Sequence, residues 1–300
     1  MWLRNVVLIA VAFLSGCANY RVVSEFGGET TKMTTVVKSE FDQLETLCVR
    51  QAELVIVVNN IQGDAPLDQC QRAKRAQSQY TALTVDVLDG YADGLGALAD
   101  DKPFDVSPDV RAVGGKVRTL KDSTGNTVLS AKEADALTSV ADLLVNALAT
   151  VKRDEAVRRM VAATPDLIVI GKSLKSFFVQ AAGAPSNAPN APYANFIGVI
   201  ASSGNSTQLV LDSTPMRKAE PIRTAELSRE LRTRQKLLAR RGPDGGNSVP
   251  ATVVAAIDAW LAALQKFSTD ALKPDSQDMI DHLKALRNAT RLARDAVADK

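Results

Sequence analysis

Apolar residues recur every three or four positions along most of this chain, which is the spacing of one face of an α-helix. One such stripe runs through residues 30–58, although its last part, residues 54–58, is rich in β-branched side chains and could also form a buried strand. The stripe that leads into this run favours a helix. Its members are Val37, Phe41, Leu44, Cys48, Val55 and Val58.

Polar and turn-forming residues divide the rest of the chain into further helical stretches. Two helix starts are marked, because Ser107 offers a capping hydroxyl before a proline, and Ser130 with Glu133 matches a capping box. The stretch around Trp260 is the most apolar, so we expect it at the centre of the fold. The predicted helices cover residues 67–98, a short segment from residue 107, and residues 130–161, 164–182, 222–241, 249–272 and 275–298.

Long helices joined by short turns predict an all-α protein, an antiparallel helical bundle of about eight helices, elongated or two-lobed. Residues 183–192 contain three prolines and no large apolar side chain, which is typical of a long loop. We therefore expect a helical bundle over residues 29–182, a loop-rich connection over 183–221 and a three-helix segment over 222–300. Whether the loop separates two domains is left open by the sequence.

The N-terminus has a different pattern. Arg4 is the only charge before an apolar run over residues 6–14, and the run ends in Leu14-Ser15-Gly16-Cys17. This is the pattern of a secretory signal peptide, and it is shorter than the roughly 20 apolar residues that span a bilayer. An ordinary cleaved signal or a short uncleaved anchor are alternatives.

The ending Leu-x-Gly-Cys resembles the lipobox of bacterial lipoproteins. The resemblance implies removal of residues 1–16 and acylation of Cys17, so that the protein is attached to a membrane through its lipid. In that family an aspartate after the cysteine often retains the protein at the inner membrane, so Ala18 implies the outer membrane, facing the periplasm. Residues 17–28 have little periodicity and include two adjacent glycines, which predicts a tether.

Two cysteines remain besides Cys17. Cys48 and Cys70 form an even pair, which in an oxidising compartment indicates one disulfide, with two buried free thiols as the alternative. The midpoint between the two cysteines is residue 59, whereas the turn residues between them are centred near residue 62 or 63. In a symmetric hairpin the bond would therefore require the first helix to end early, near Val55.

The charge balance excludes a general attraction to nucleic acid, because 36 basic residues face 34 acidic ones. One segment, residues 223–241, is locally basic. On a helix its leucines share one side, while Arg229, Arg232, Lys236 and Arg240 spread over the other. This basic face is a candidate site for an acidic protein or an anionic lipid headgroup, and a solvated helix surface is the alternative.

Signatures of catalysis, metal binding or cofactor binding are lacking. The single histidine, His282, stands near Asp278 and Asp281 on a polar helix face, without a second histidine or a cysteine at metal-binding spacing. Gly171-Lys172-Ser173 ends like a phosphate-binding loop, but the glycine that should precede it is Asp166. We expect a non-catalytic lipoprotein that binds or scaffolds an envelope partner. A carboxylate-dependent envelope hydrolase, acting on glycan or peptidoglycan, is the alternative.

Overall fold

The computed structural model describes residues 2–59, 65–120, 129–147, 152–181, 222, 225–230, 249–271, 273 and 276–298. This part of the chain is α-helical and contains no strand, as the sequence predicts. Residues 225–230 are helical as well. The elements with defined bounds are α1 (Trp2–Asn59), α2 (Ala65–Ala99), α3 (Pro108–Lys116), a 3₁₀ turn (Val117–Thr119), α4 (Ala131–Ala147), α5 (Arg153–Ala162), α6 (Thr164–Ala181), α7 (Val249–Asp270) and α8 (Gln277–Ala298).

The long helix α1 contacts α2, α7 and α8 along its length. Phe26 stacks on Phe267 of α7 with ring centroids 4.5 Å apart. One turn further along, Trp260 Nε1 donates a hydrogen bond of 3.0 Å to Thr30 Oγ1. Trp260 is fully buried, which confirms the central place predicted for its helix.

Helices α1 and α2 run antiparallel, since Cys48 pairs with Cys70 and Gly27 lies against Ala92, but α1 and α8 run parallel. Glu29 pairs with Arg287, and further along both helices Gln43 Nε2 donates to the carbonyl of Val297 at 2.6 Å. Because contacts advance in the same direction on both helices, they lie side by side with a common groove between them. The prediction of a purely antiparallel arrangement does not extend to this pair.

The structure differs from the tether predicted over residues 17–28, because α1 continues through these positions without a break. Val23 and Phe26 are fully buried, and Met33 lies on the same side of the helix. Their spacing continues the apolar stripe towards the N-terminus. Gly27 permits close packing there, since a Cβ at this position would lie 2.8 Å from the carbonyl oxygen of Ala92 in α2.

Both marked helix starts are confirmed. Ser107 Oγ accepts a hydrogen bond from the backbone N–H of Val110, and Ser130 and Glu133 exchange the two bonds of a capping box. The single helix predicted over residues 130–161 is instead two helices, α4 and α5. Lys152 between them has an extended backbone, with φ −62° and ψ 147°.

The predicted Cys48–Cys70 disulfide is present, with the two Cα atoms 5.8 Å apart. It does not require α1 to end near Val55, because α1 continues to Asn59. The helical part of the hairpin is asymmetric: α1 extends about three turns past its cysteine, whereas α2 begins about one and a half turns before Cys70. The assumption of a symmetric hairpin was the error.

Candidate functional site

Within the described residues, a groove of about 400 Å³ lies between α1 and α8. Val36 and Val297 contribute buried apolar side chains to it. The described residues of its polar lining include four cations and a single carboxylate, so this lining is basic. These polar residues are Glu29, Lys32, Thr35, Ser39, Gln43, Arg287, Thr290, Arg291 and Arg294.

Glu29 is the buried carboxylate of the groove, with 2% of its surface exposed. Its Oε1 accepts hydrogen bonds from Lys32 Nζ and Arg287 Nε, both at 2.9 Å. The hydrogen bond that Arg287 donates to Glu29 is the main reason that the pKa of Arg287 is raised. A buried charge needs such partners, because an uncompensated carboxylate in the protein interior is costly. This ion pair ties α8 to α1.

The second oxygen of Glu29, Oε2, is buried and accepts no hydrogen bond from any residue that the structure describes. The hydroxyl of Thr290, also in the groove and 4% exposed, has no partner among those residues either. Most buried polar atoms in proteins are paired, and an unpaired one costs about 1–3 kcal/mol. Both atoms are thus buried at the groove wall without a hydrogen-bond partner among the described residues.

Three arginines follow α8 along the groove at positions i, i+4 and i+7, which places them on one side of the helix. Arg287 is held by Glu29, whereas Arg291 and Arg294 share the exposed carboxylate of Asp295 at 3.9 and 3.1 Å. Their side chains are more than half exposed. The arginine-rich end of the groove therefore offers two solvent-facing guanidinium groups to an anion.

The carboxylates that line the groove bear on the hydrolase alternative. A glycoside hydrolase uses two carboxyl groups that flank one bond, and Glu29 is the only carboxylate among the described residues that line the groove. Burial raises the pKa of Asp86 and of Asp93, but these acids lie on α2 and do not line the groove. Asp86 is paired with Lys38 at 3.1 Å. The described lining of the groove therefore contains one carboxylate, whereas the hydrolase alternative needs a pair.

The described helix over residues 225–230 contains only the first of the predicted basic-face residues. Arg229 is exposed, Ser228 before it is buried and Leu227 is partly buried. Arg232, Lys236 and Arg240 lie outside the described residues. The basic face over residues 223–241 therefore stays a prediction.

Cys17 lies inside α1, one turn before Tyr20, the first side chain that the structure describes. The ring of Tyr20 packs under the guanidinium of Arg153 at 3.5 Å, and its hydroxyl donates to Asp154. Burial, followed by the bond to Asp154, raises the pKa of Tyr20 to about 12. Arg153 also donates to the carbonyls of Leu98 and Ala99 at the end of α2. The bundle is therefore packed to within three residues of Cys17.

Neither of the weak sequence signals becomes a site in the described part of the chain. His282 Nδ1 lies 2.7 Å from the carbonyl of Asp278 on its own helix, and no described cluster of three acidic, histidine or cysteine side chains could hold a metal ion. Gly171 lies within α6, where a Cβ would come within 2.5 Å of the Trp260 ring. Helix packing accounts for this glycine.

Sequence reasoning did not find the α1–α8 groove, although two signals pointed to it. Glu29 stands three residues after Phe26 and four before Met33, so a carboxylate occupies a core position of an apolar stripe. The other signal is the repeat of arginines at helical spacing in the last helix. Neither signal shows that the two helices meet.

None of the described helices has a stretch long and apolar enough to cross a membrane. No protein-family model matches this chain, and comparison with curated proteins and with solved structures gives no match either.

Proposed function

We propose that this chain is a lipid-anchored helical protein of the bacterial envelope, acylated at Cys17 on the outer membrane and facing the periplasm. Its role is to bind or scaffold an envelope partner, without catalysis. The observation that supports partner binding is the basic groove between α1 and α8, where buried Glu29 and Thr290 each carry a polar atom without a hydrogen-bond partner among the described residues. The observation that supports the anchor is the Leu14-Ser15-Gly16-Cys17 sequence.

The packing of Tyr20 close to Cys17 limits how far the bundle can lie from the membrane in this proposal. With only two residues between Cys17 and the packed part of α1, the bundle has little freedom to move away from the membrane surface. Glu29 lies twelve residues beyond Cys17, which at about 1.5 Å per residue places it roughly 18 Å along the helix. A groove at this position can meet a partner that lies close to the same membrane.

Replacing Cys17 by serine tests the anchor. The wild-type protein should carry diacylglycerol and an N-acyl chain at Cys17. It should fractionate with membranes, because two or more acyl chains make anchoring stable. Cys17→Ser should carry no lipid and should remain as the unprocessed form. Mass spectrometry of the purified chain reads both results. A wild-type protein without lipid at Cys17 would reject the anchor.

A photo-crosslinking amino acid placed at Ser39 tests the groove in cells. Ser39 lines the groove and is exposed, so the probe does not disturb the core. The matched control is Asp142, an equally exposed position on α4, which does not line the groove. We expect a discrete adduct from position 39 and none from position 142. The same adduct from both positions, or from neither, would contradict a partner site in the groove.

The basic face over residues 223–241 is proposed as a second contact, with an acidic protein or an anionic headgroup. Arg229, Arg232, Lys236 and Arg240 would supply a mainly electrostatic interaction that weakens as the salt concentration rises. This contact does not depend on the groove, and the two can be tested separately.

A further inference from the structure

The lining of the groove is complementary to two kinds of chemical group, a hydrogen-bond donor and an anion. Oε2 of Glu29 is a buried acceptor on a carboxylate whose other oxygen already accepts from Lys32 and Arg287, so its complement is a hydrogen-bond donor. Arg291 and Arg294 at the other end are donors without an acceptor of their own except the shared Asp295. Their complement is an anion. A ligand that satisfies the groove therefore carries a donor and an anion close together.

The spacing along α8 sets the distance between the two groups. Arg287 contacts Glu29, and Arg291 follows it by one helical turn, about 6 Å along the axis. A two-carbon link between an amine and an anionic group covers a separation of this order. Two guanidinium groups side by side also favour phosphate over carboxylate, because a tetrahedral group presents oxygens to both.

We propose that the α1–α8 groove binds a phosphate ester with an ammonium or hydroxyl donor two carbons from the phosphate, either free or as a lipid headgroup. The donor bonds to Glu29 Oε2, with the Thr290 hydroxyl beside it, and the phosphate lies against Arg291 and Arg294. This inference rests on the proposed role of the groove and does not depend on acylation of Cys17.

Phosphoethanolamine and phosphocholine form a matched pair of probes. The ammonium group of phosphoethanolamine has N–H groups that can donate to Glu29, whereas the trimethylammonium group of phosphocholine has none. Phosphorus NMR titration of the full chain in non-ionic detergent and phosphate-free buffer gives both dissociation constants. We expect phosphoethanolamine to bind about tenfold more tightly, the effect of one charge-assisted hydrogen bond. Equal affinities, or no binding of either, would overturn the proposal. β-Alanine, added as a competitor, should be weak; competition equal to that of phosphoethanolamine would reject phosphate as the recognised anion.

Variants assign the two ends of the ligand. Arg291→Gln combined with Arg294→Gln should lose both ligands, whereas Arg159→Gln, which removes an equally ion-paired exposed arginine on α5, should lose neither. Glu29→Gln should abolish the preference between the ligands. If that variant does not fold by circular dichroism, Thr290→Val serves at the same end and should reduce the preference. Unchanged binding by the double arginine variant would overturn the site.

A short-chain phosphatidylethanolamine below its micelle concentration distinguishes the two sources. Affinity equal to that of phosphoethanolamine indicates that the free ester suffices, and a gain indicates a lipid whose chains contact Val36 and Val297. Crosslinking at Ser39 separates this inference from the proposed function. An adduct at position 39 without phosphoethanolamine binding rejects the ligand and keeps the groove, whereas failure of both rejects the groove.

Discussion

Replacing Gly27 by alanine should destabilise the protein by about 1–3 kcal/mol, whereas the same change at the neighbouring Gly28 should stabilise it by up to about 1 kcal/mol. A Cβ at Gly27 would lie 2.8 Å from the carbonyl oxygen of Ala92 and 3.3 Å from Cβ of Leu95, so α1 and α2 would have to separate. At Gly28 a Cβ meets nothing within 4 Å. There alanine only improves helix propensity.

Urea unfolding followed by circular dichroism measures both changes in the free energy of unfolding. The pair is a matched control, because the two sites are adjacent and the chemical change is identical. Opposite signs are the result expected of a packed helix. If both variants had the stability of the wild type, residues 27 and 28 would belong to a loose tether, and the packing of α1 against α2 at this point would be wrong.

The tether was predicted because glycine pairs usually interrupt helices, and this expectation failed for a reason outside the local sequence. The stripe of Val23, Phe26 and Met33 continues through the glycines, and the partner that makes Gly27 useful is Ala92, far away in the chain. Local propensity is a weak indicator where tertiary packing requires a small residue. The apolar stripe is visible in the sequence, but the contact of α1 with α2 at Gly27 is not.

What periodicity could predict was the helical class, the capped starts at Ser107 and Ser130, and the central place of Trp260. Each depends on residues within a few positions of one another. The groove depends on Arg287 meeting Glu29 across 258 residues of sequence, and no local pattern contains this pairing. Arg153 shows the same limit: in sequence it belongs to a charged run, but it holds the end of α2 and covers Tyr20.

Loss of the Cys48–Cys70 bond should destabilise the protein by about 3 kcal/mol, on the chain-entropy estimate for a loop of this size. The bond closes a sequence separation of 22 residues, and both cysteines are almost fully buried. Alanine is the better replacement at both sites, because a buried serine hydroxyl would add an unpaired polar group. Cys48→Ala combined with Cys70→Ala should therefore show a lower urea midpoint than the oxidised wild type.

Reductant supplies the internal control for this prediction. Dithiothreitol should lower the midpoint of the wild type towards that of the double variant and should leave the double variant unchanged, since it has no bond between these positions to reduce. The bond lies beyond the Gln43 end of the groove, so its loss should loosen the α1–α2 hairpin before it disturbs the pair of Glu29 and Arg287. A wild-type protein whose midpoint did not respond to reductant would show that the bond contributes nothing to stability. Free thiols found by labelling the protein in its native cells would show that the bond does not form.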